Sequence, residues 1–154
     1  MPQGKYYEIQ VVDEQTGRGV PLVELETTNR MRYVTDNAGR VAFFEPGLMG
    51  QTVFFDIKAH GYEAQKDGFG IAGARLKVEE GGSGTIKLRR RNLAERLYRV
   101  TGYGLYRDTV LLGKEAPIAE PLGSGMVVGQ DSVLAVPYRG KVRWFWGDTA
   151  RISY

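Results

Sequence analysis

Tyr7-Glu8-Ile9-Gln10-Val11-Val12-Asp13-Glu14-Gln15-Thr16-Gly17 decides the fold. Tyr7, Ile9 and Val11 alternate with Glu8 and Gln10, the period-2 pattern of a strand with one buried face. Asp13 to Gly17 then breaks the pattern with a polar loop ending in glycine. The alternation of strand and turn recurs through residue 90. Val23 and Leu25 alternate with Glu24 and Glu26, and Met31 to Thr35 gives a third strand. Asp36-Asn37-Ala38-Gly39 supplies residues that tolerate tight turns, and Val41 to Phe44 follows, closed by Pro46-Gly47. Val53, Phe55, Ile57 and Ala59 share one face, while Thr52, Asp56 and Lys58 take the other. Leu76 to Val78 and Thr85 to Leu88 complete the set, with Glu79 to Gly84 as the turn between them. Seven short strands without a helix-period stretch among them predict an all-β fold, a seven-stranded antiparallel sandwich over residues 5–90. The 21 glycines fit that density of turns.

Beyond residue 90 the texture changes. Asn92 with Glu95 three residues later makes a capping-box-like pair. Leu93, Leu97 and Val100 form one apolar stripe, and Gly102 sits where helices end. This spacing predicts a helix of about two turns, too short to stand alone. Tyr103 to Val128, with Gly113, Pro117, Pro121, Gly123 and Gly125, reads as an extended connector lying on a surface. Residues 91–128 are therefore read as short helix plus connector. Residues 129–154 form a C-terminal β-hairpin: Ser132 to Val136 and Lys141 to Trp146 bracket the turn Pro137-Tyr138-Arg139-Gly140. A lone two-stranded hairpin is marginal in water, so these residues are expected to open a truncated domain or one completed by a partner.

Composition narrows the chemistry. The 154 residues are 42% hydrophobic and 25% charged, which is globular composition, and no apolar run is long enough to span a membrane. Met1-Pro2-Gln3-Gly4 carries no basic n-region or apolar h-region, so no export signal is expected within the sequence. The absence of cysteine excludes disulfides, thiolate nucleophiles and cysteine-ligated zinc, and a single histidine, His60, excludes His-rich metal sites. No metal and no cofactor is expected, since no glycine-rich segment has P-loop or dinucleotide spacing. Asp36 and Asn37 could hold calcium, but the turn accounts for them. His60 beside Gly61-Tyr62 reads as a strand-end surface residue. Charge is uneven: seven basic residues and two acidic ones lie between Lys87 and Asp108, in a chain of net charge +3. Arg89, Arg90, Arg91, Arg96 and Arg99 form a candidate basic patch for an anionic partner. The alternative is a solvated face paired with acidic neighbours. Nucleic acid is the less favoured partner.

Two resemblances follow from motifs. Val12-Asp13-Glu14-Gln15-Thr16-Gly17, Val20-Pro21-Leu22-Val23, Thr35-Asp36-Asn37-Ala38-Gly39-Arg40 and Ile57-Lys58-Ala59-His60-Gly61-Tyr62 resemble the carboxypeptidase-regulatory-like, transthyretin-like β-sandwiches over residues 6–90. The resemblance implies a non-catalytic accessory of secreted bacterial proteins, extracellular or periplasmic, with the cytoplasm left open. One enzyme of that wider fold, a hydroxyisourate hydrolase, ends in Tyr-Arg-Gly-Ser. Tyr138-Arg139-Gly140-Lys141 echoes it, but no histidine occupies the first strand, so that activity is not expected. Gly129-Gln130-Asp131-Ser132 with Trp144-Phe145-Trp146-Gly147-Asp148-Thr149 resembles the opening of a glycosidase-like β-propeller. It implies Asp131 and Asp148 as carboxylates facing a substrate channel, where a glycosidase needs two carboxyl groups about 5–9.5 Å apart.

The resulting expectation is a non-catalytic interaction module for carbohydrate or a protein partner, with Trp144, Trp146, Tyr138 and Arg139 as binding candidates. Trp144 and Trp146 share a strand face and could stack on a sugar, or fill a core. Two alternatives stand beside it. The chain is the N-terminal part of a propeller enzyme using Asp131 and Asp148, if the natural chain continues past residue 154. Or it is a structural subunit self-associating through the hairpin by strand addition.

Overall fold

The computed structural model describes residues 5–66, 68–123 and 127–151. The parts of the expected connector at 124–126 and of the expected hairpin domain at 152–154 lie outside the described residues. The protein is all-β, with one short helix among the described residues.

Eight strands build a sandwich of two four-stranded sheets. In chain order they are β1 (Tyr7–Asp13), β2 (Glu24–Thr27), β3 (Arg32–Val34), β4 (Arg40–Phe43), β5 (Thr52–Lys58), β6 (Tyr62–Ala64), β7 (Gly73–Lys77) and β8 (Ser83–Arg90). One sheet runs β4-β1-β8-β6 and the other β3-β2-β5-β7. Two details differ from the expectation of seven antiparallel strands. The additional strand is β6, whose three residues are too few to show a period. β1 and β8 pair in parallel, Val11 opposite Ile86, a relation no local pattern encodes.

The alternation read in the sequence is the burial pattern observed. Ile9, Val11, Leu25, Phe43, Phe55 and Leu88 are fully buried between the sheets. Tyr33, Phe43 and Phe55 meet edge-to-face at 5.2 and 5.4 Å between ring centres, the arrangement that aromatic quadrupoles favour. Asp13 is buried too, with Arg90 Nε 3.1 Å from its carboxylate.

No helix forms over 92–102. The backbone of that stretch is occupied by the sandwich: Arg96 N donates to the Tyr62 hydroxyl at 3.1 Å, and Arg99 N donates to Asn37 Oδ1 at 2.7 Å. Glu95, the expected capping partner, accepts from Thr16 Oγ1 instead. Leu93 is fully exposed, Leu97 is exposed and Val100 is half-buried, so the predicted stripe does not bury a common face. Tertiary bonds override a weak local preference here. The helix lies further on, α1 (Arg107–Leu111), against β4.

Beyond the connector, β9 (Val127–Gln130) pairs with β12 (Thr149–Arg151), and β10 (Leu134–Tyr138) with β11 (Lys141–Phe145). Asp131 N donates to the Asp148 carbonyl and Gly147 N to the Asp131 carbonyl, so the two pairs are one interrupted antiparallel ribbon. The turn is two residues, Arg139 and Gly140, both at positive φ, and Pro137 and Tyr138 belong to β10 rather than to the turn.

Candidate functional site

Two places concentrate polar chemistry: the seam between connector and sandwich, and the ribbon.

The seam is built on the turn Asp36 to Gly39. Asp36 Oδ1 accepts from the amides of Ala38 and Arg40, which is how an aspartate closes its own turn. Its Oδ2 accepts from both the amide and the hydroxyl of Thr109, each at 2.7 Å. Asn37 pairs through its side-chain amide with both backbone groups of Arg99, and its own N–H donates to the Leu105 carbonyl. Asp108 Oδ1 accepts the Ala42 amide at 2.8 Å, so α1 covers an amide on the edge strand β4. Burial holds the Asp108 carboxyl above the ordinary carboxylate range, the Asp36 charge adds to this, and the Ala42 amide opposes it. Both Asp36 oxygens are saturated by N–H and O–H donors, an environment for a carboxylate and not for a calcium ion. Among the described residues no group of three or more His, Asp or Glu side chains could hold a metal.

The candidate basic patch is spread along this seam. Arg96 donates to the carbonyls of Pro21, Leu22 and His60 and lies over the Tyr62 ring. Arg90 holds Asp13, Gln15 and the Leu93 carbonyl, and Arg91 pairs with Glu63 at 2.8 Å. Arg99 donates to the Tyr103 carbonyl, and Arg89 is exposed on β8. His60 is exposed, and its carbonyl, not its ring, is used. A polar cleft of about 430 Å³ lies between β3, β4 and α1, lined by Tyr6, Arg32, Tyr33, Phe44, Arg107 and Asp108. Three of these groups are engaged within the protein: Arg32 pairs with Glu26 at 2.8 Å, the Tyr33 hydroxyl donates to Glu45 at 2.7 Å, and Asp108 accepts the Ala42 amide. Burial, then Glu45, pushes the Tyr33 hydroxyl far above the usual phenol range.

The ribbon brings together the remaining candidates. Asp131 and Asp148 flank the interruption between its two pairs, in a shallow groove with Gln130 and Thr149. Both carboxylates are exposed. The Trp144 and Trp146 rings stack on each other, 5.8 Å apart and 21° from parallel, so each gives one face to the other. Such a pair is not a side-by-side platform for a sugar ring. Tyr138 and Arg139 sit at the turn, the guanidinium 5.1 Å from the ring centre.

What sequence reading misses is that the ribbon exposes apolar side chains on both faces, with Lys141 and Arg143 among those of one face. Cross-strand partners share a face. Leu134, Val136, Tyr138 and Phe145 line one side, and Ala135, Pro137, Val142 and Trp144 the other. Leu134 is 60% exposed and Phe145 58%, and every residue of β10 and β11 is exposed. The signal was present in Leu134-Ala135-Val136-Pro137-Tyr138, a run without polar alternation, which is how a strand buried on both faces reads.

No family model matches the chain, and no curated protein matches it. Among the described residues no helix is long and apolar enough to cross a membrane.

Proposed function

We propose that the chain is a non-catalytic interaction module whose ribbon docks into the β-structure of a protein partner. The observation that carries this is the exposure of apolar side chains on both ribbon faces. Covering a large apolar side chain is worth about 1.5–3 kcal/mol, and an uncovered two-stranded ribbon is marginal. The sandwich serves as the platform, and the Asp36–Thr109 and Asn37–Arg99 bonds fix the connector to it. A protein partner is favoured over carbohydrate because Trp144 and Trp146 spend a face on each other. The transthyretin-like motifs of residues 6–90 support an accessory role in a secreted bacterial protein, extracellular or periplasmic.

The test is photo-crosslinking from benzoylphenylalanine at position 145 of the full chain, compared with position 69 on the sandwich. Crosslinks to β-strand sequences of another protein from 145 and none from 69 are expected; the reverse pattern sinks the reading. Retention on insoluble polysaccharide that is lost in Trp144→Ala puts carbohydrate in place of the protein partner. Growth of light scattering with concentration, abolished by Trp144→Asp, replaces it with self-assembly.

A second reading rests on the placement of Asp131 and Asp148 across the ribbon from each other, with the Asp131 amide on the Asp148 carbonyl at 2.9 Å. In it the ribbon is the first part of a glycosidase-like propeller and these carboxylates stand at a substrate channel. Loss of glycoside hydrolysis on Asp131→Asn or Asp148→Asn, in a longer protein containing this chain, supports it. Unchanged hydrolysis removes it.

A further inference from the structure

The ribbon has two edges, and the structure makes them unequal. In a hairpin with a two-residue turn, the residues flanking the turn exchange both backbone hydrogen bonds, and the next pair points its backbone groups outward. Tyr138 and Lys141 flank the turn here, so Pro137 and Val142 form the first outward pair, and Ala135 and Trp144 the second. The outer edge of β10 therefore carries Pro137, which has no N–H to offer. The outer edge of β11 offers the complete backbone groups of Val142 and Trp144. Proline on a strand's outward side is a known means of blunting an edge.

Charge distinguishes the partner as well. Along β11, Lys141 and Arg143 point to the same face, opposite Tyr138 and Val136. Neither takes part in an ion pair among the described residues. The other face of β11 presents Val142 and Trp144. A neighbouring strand would thus meet two cations on one face and apolar side chains on the other.

We infer that β11, and not β10, is the edge on which the partner adds a strand, and that this strand alternates acidic and apolar residues. The inference rests on the protein-docking reading above and names the edge and the chemistry. Backbone pairing supplies the affinity, and Lys141 and Arg143 set the register and the preference.

The experiment measures fluorescence anisotropy of a labelled peptide of alternating Val and Glu with the full 154-residue chain. Val142→Pro copies on β11 the device Pro137 provides on β10, removing an outward N–H while leaving the hairpin bonds. It is expected to weaken binding by about tenfold or more, and Ala135→Pro on the other edge to leave it unchanged. Arg143→Glu, which leaves Lys141 beside a carboxylate, is expected to cancel the preference for the Val/Glu peptide, and Lys141→Glu with Arg143→Glu to reverse it toward a Val/Lys peptide. Tryptophan stacking, seen as exciton circular dichroism, reports that each variant keeps the ribbon. Peptide binding lost in Ala135→Pro but kept in Val142→Pro overturns the edge assignment, and equal binding of Val/Glu and Val/Lys peptides overturns the chemistry. No peptide binding, while position 145 still crosslinks to β-strands of another protein, overturns this inference alone. No crosslink from 145 brings down the docking reading itself.

Discussion

Asp36 takes four donors on two oxygens, two from its own turn and two from Thr109, far along the chain. Removing a buried, saturated carboxylate strands every one of those donors, so Asp36→Ala is expected to cost about 3–4 kcal/mol in urea denaturation. The Thr109 amide should also exchange with deuterium much faster. Asp108 behaves differently, because burial raises its pKa in the fold above that of the unfolded chain. A raised acid contributes stability that is present in full below the ordinary carboxylate pKa, and this is lost as pH rises through the folded one. Asp108→Asn keeps an acceptor for the Ala42 amide and removes the titration. The stability of wild type relative to this variant should therefore increase as pH falls from neutral through the carboxylate range, read by denaturation at several pH values. The turn role of Asp36 was legible in Asp-Asn-Ala-Gly. Its hold on the connector was not, since nothing near residue 36 announces a threonine from α1.

At the scale of elements, the tightest junction is where the turn at Gly39 passes between β1 and the chain entering β2. Gly39 has φ +72°, and an added Cβ would collide with the Val11 carbonyl and the Val20 amide. Gly39→Ala combines strain with backbone overlap and is expected to lose about 3 kcal/mol or more, with the melting temperature as the readout. The connector offers a milder case: Arg96→Met keeps the stem but abandons three carbonyls. It should destabilise the sandwich by about 1–2 kcal/mol and raise hydrogen exchange selectively over residues 93–100. The strands were legible because each buries one face, and alternation is a local signal. The helix expected over 92–102 was misread because its Leu-Leu-Val spacing is real, while the decisive bonds come from Tyr62 and Asn37. Tyr62–Ala64 escaped notice because three residues hold no period.

At the scale of the molecule, the sandwich has a core to which no described residue of the ribbon contributes, so their stabilities should separate. Both tryptophans of the chain are in the ribbon, which makes their emission a reporter of that part alone. Without a partner, tryptophan emission is expected to change at a lower urea concentration than far-ultraviolet circular dichroism, a failure of two-state coincidence. A partner that covers the ribbon should merge the two transitions and shift the emission to the blue; coincident transitions in the free chain would show that the ribbon is already covered.

The parallel pairing of β1 with β8 has a consequence for the order of events during synthesis. The first strand of the sandwich cannot find its central neighbour until the eighth has been made, since Glu8 pairs with Ser83 and Asp13 with Leu88. Ile9 and Val11 therefore lack one side of their sheet through most of the module's translation, a long-range closure that slows folding and invites chaperones. The ribbon follows β8 in the chain, so the sandwich can close before the stickiest surface leaves the ribosome.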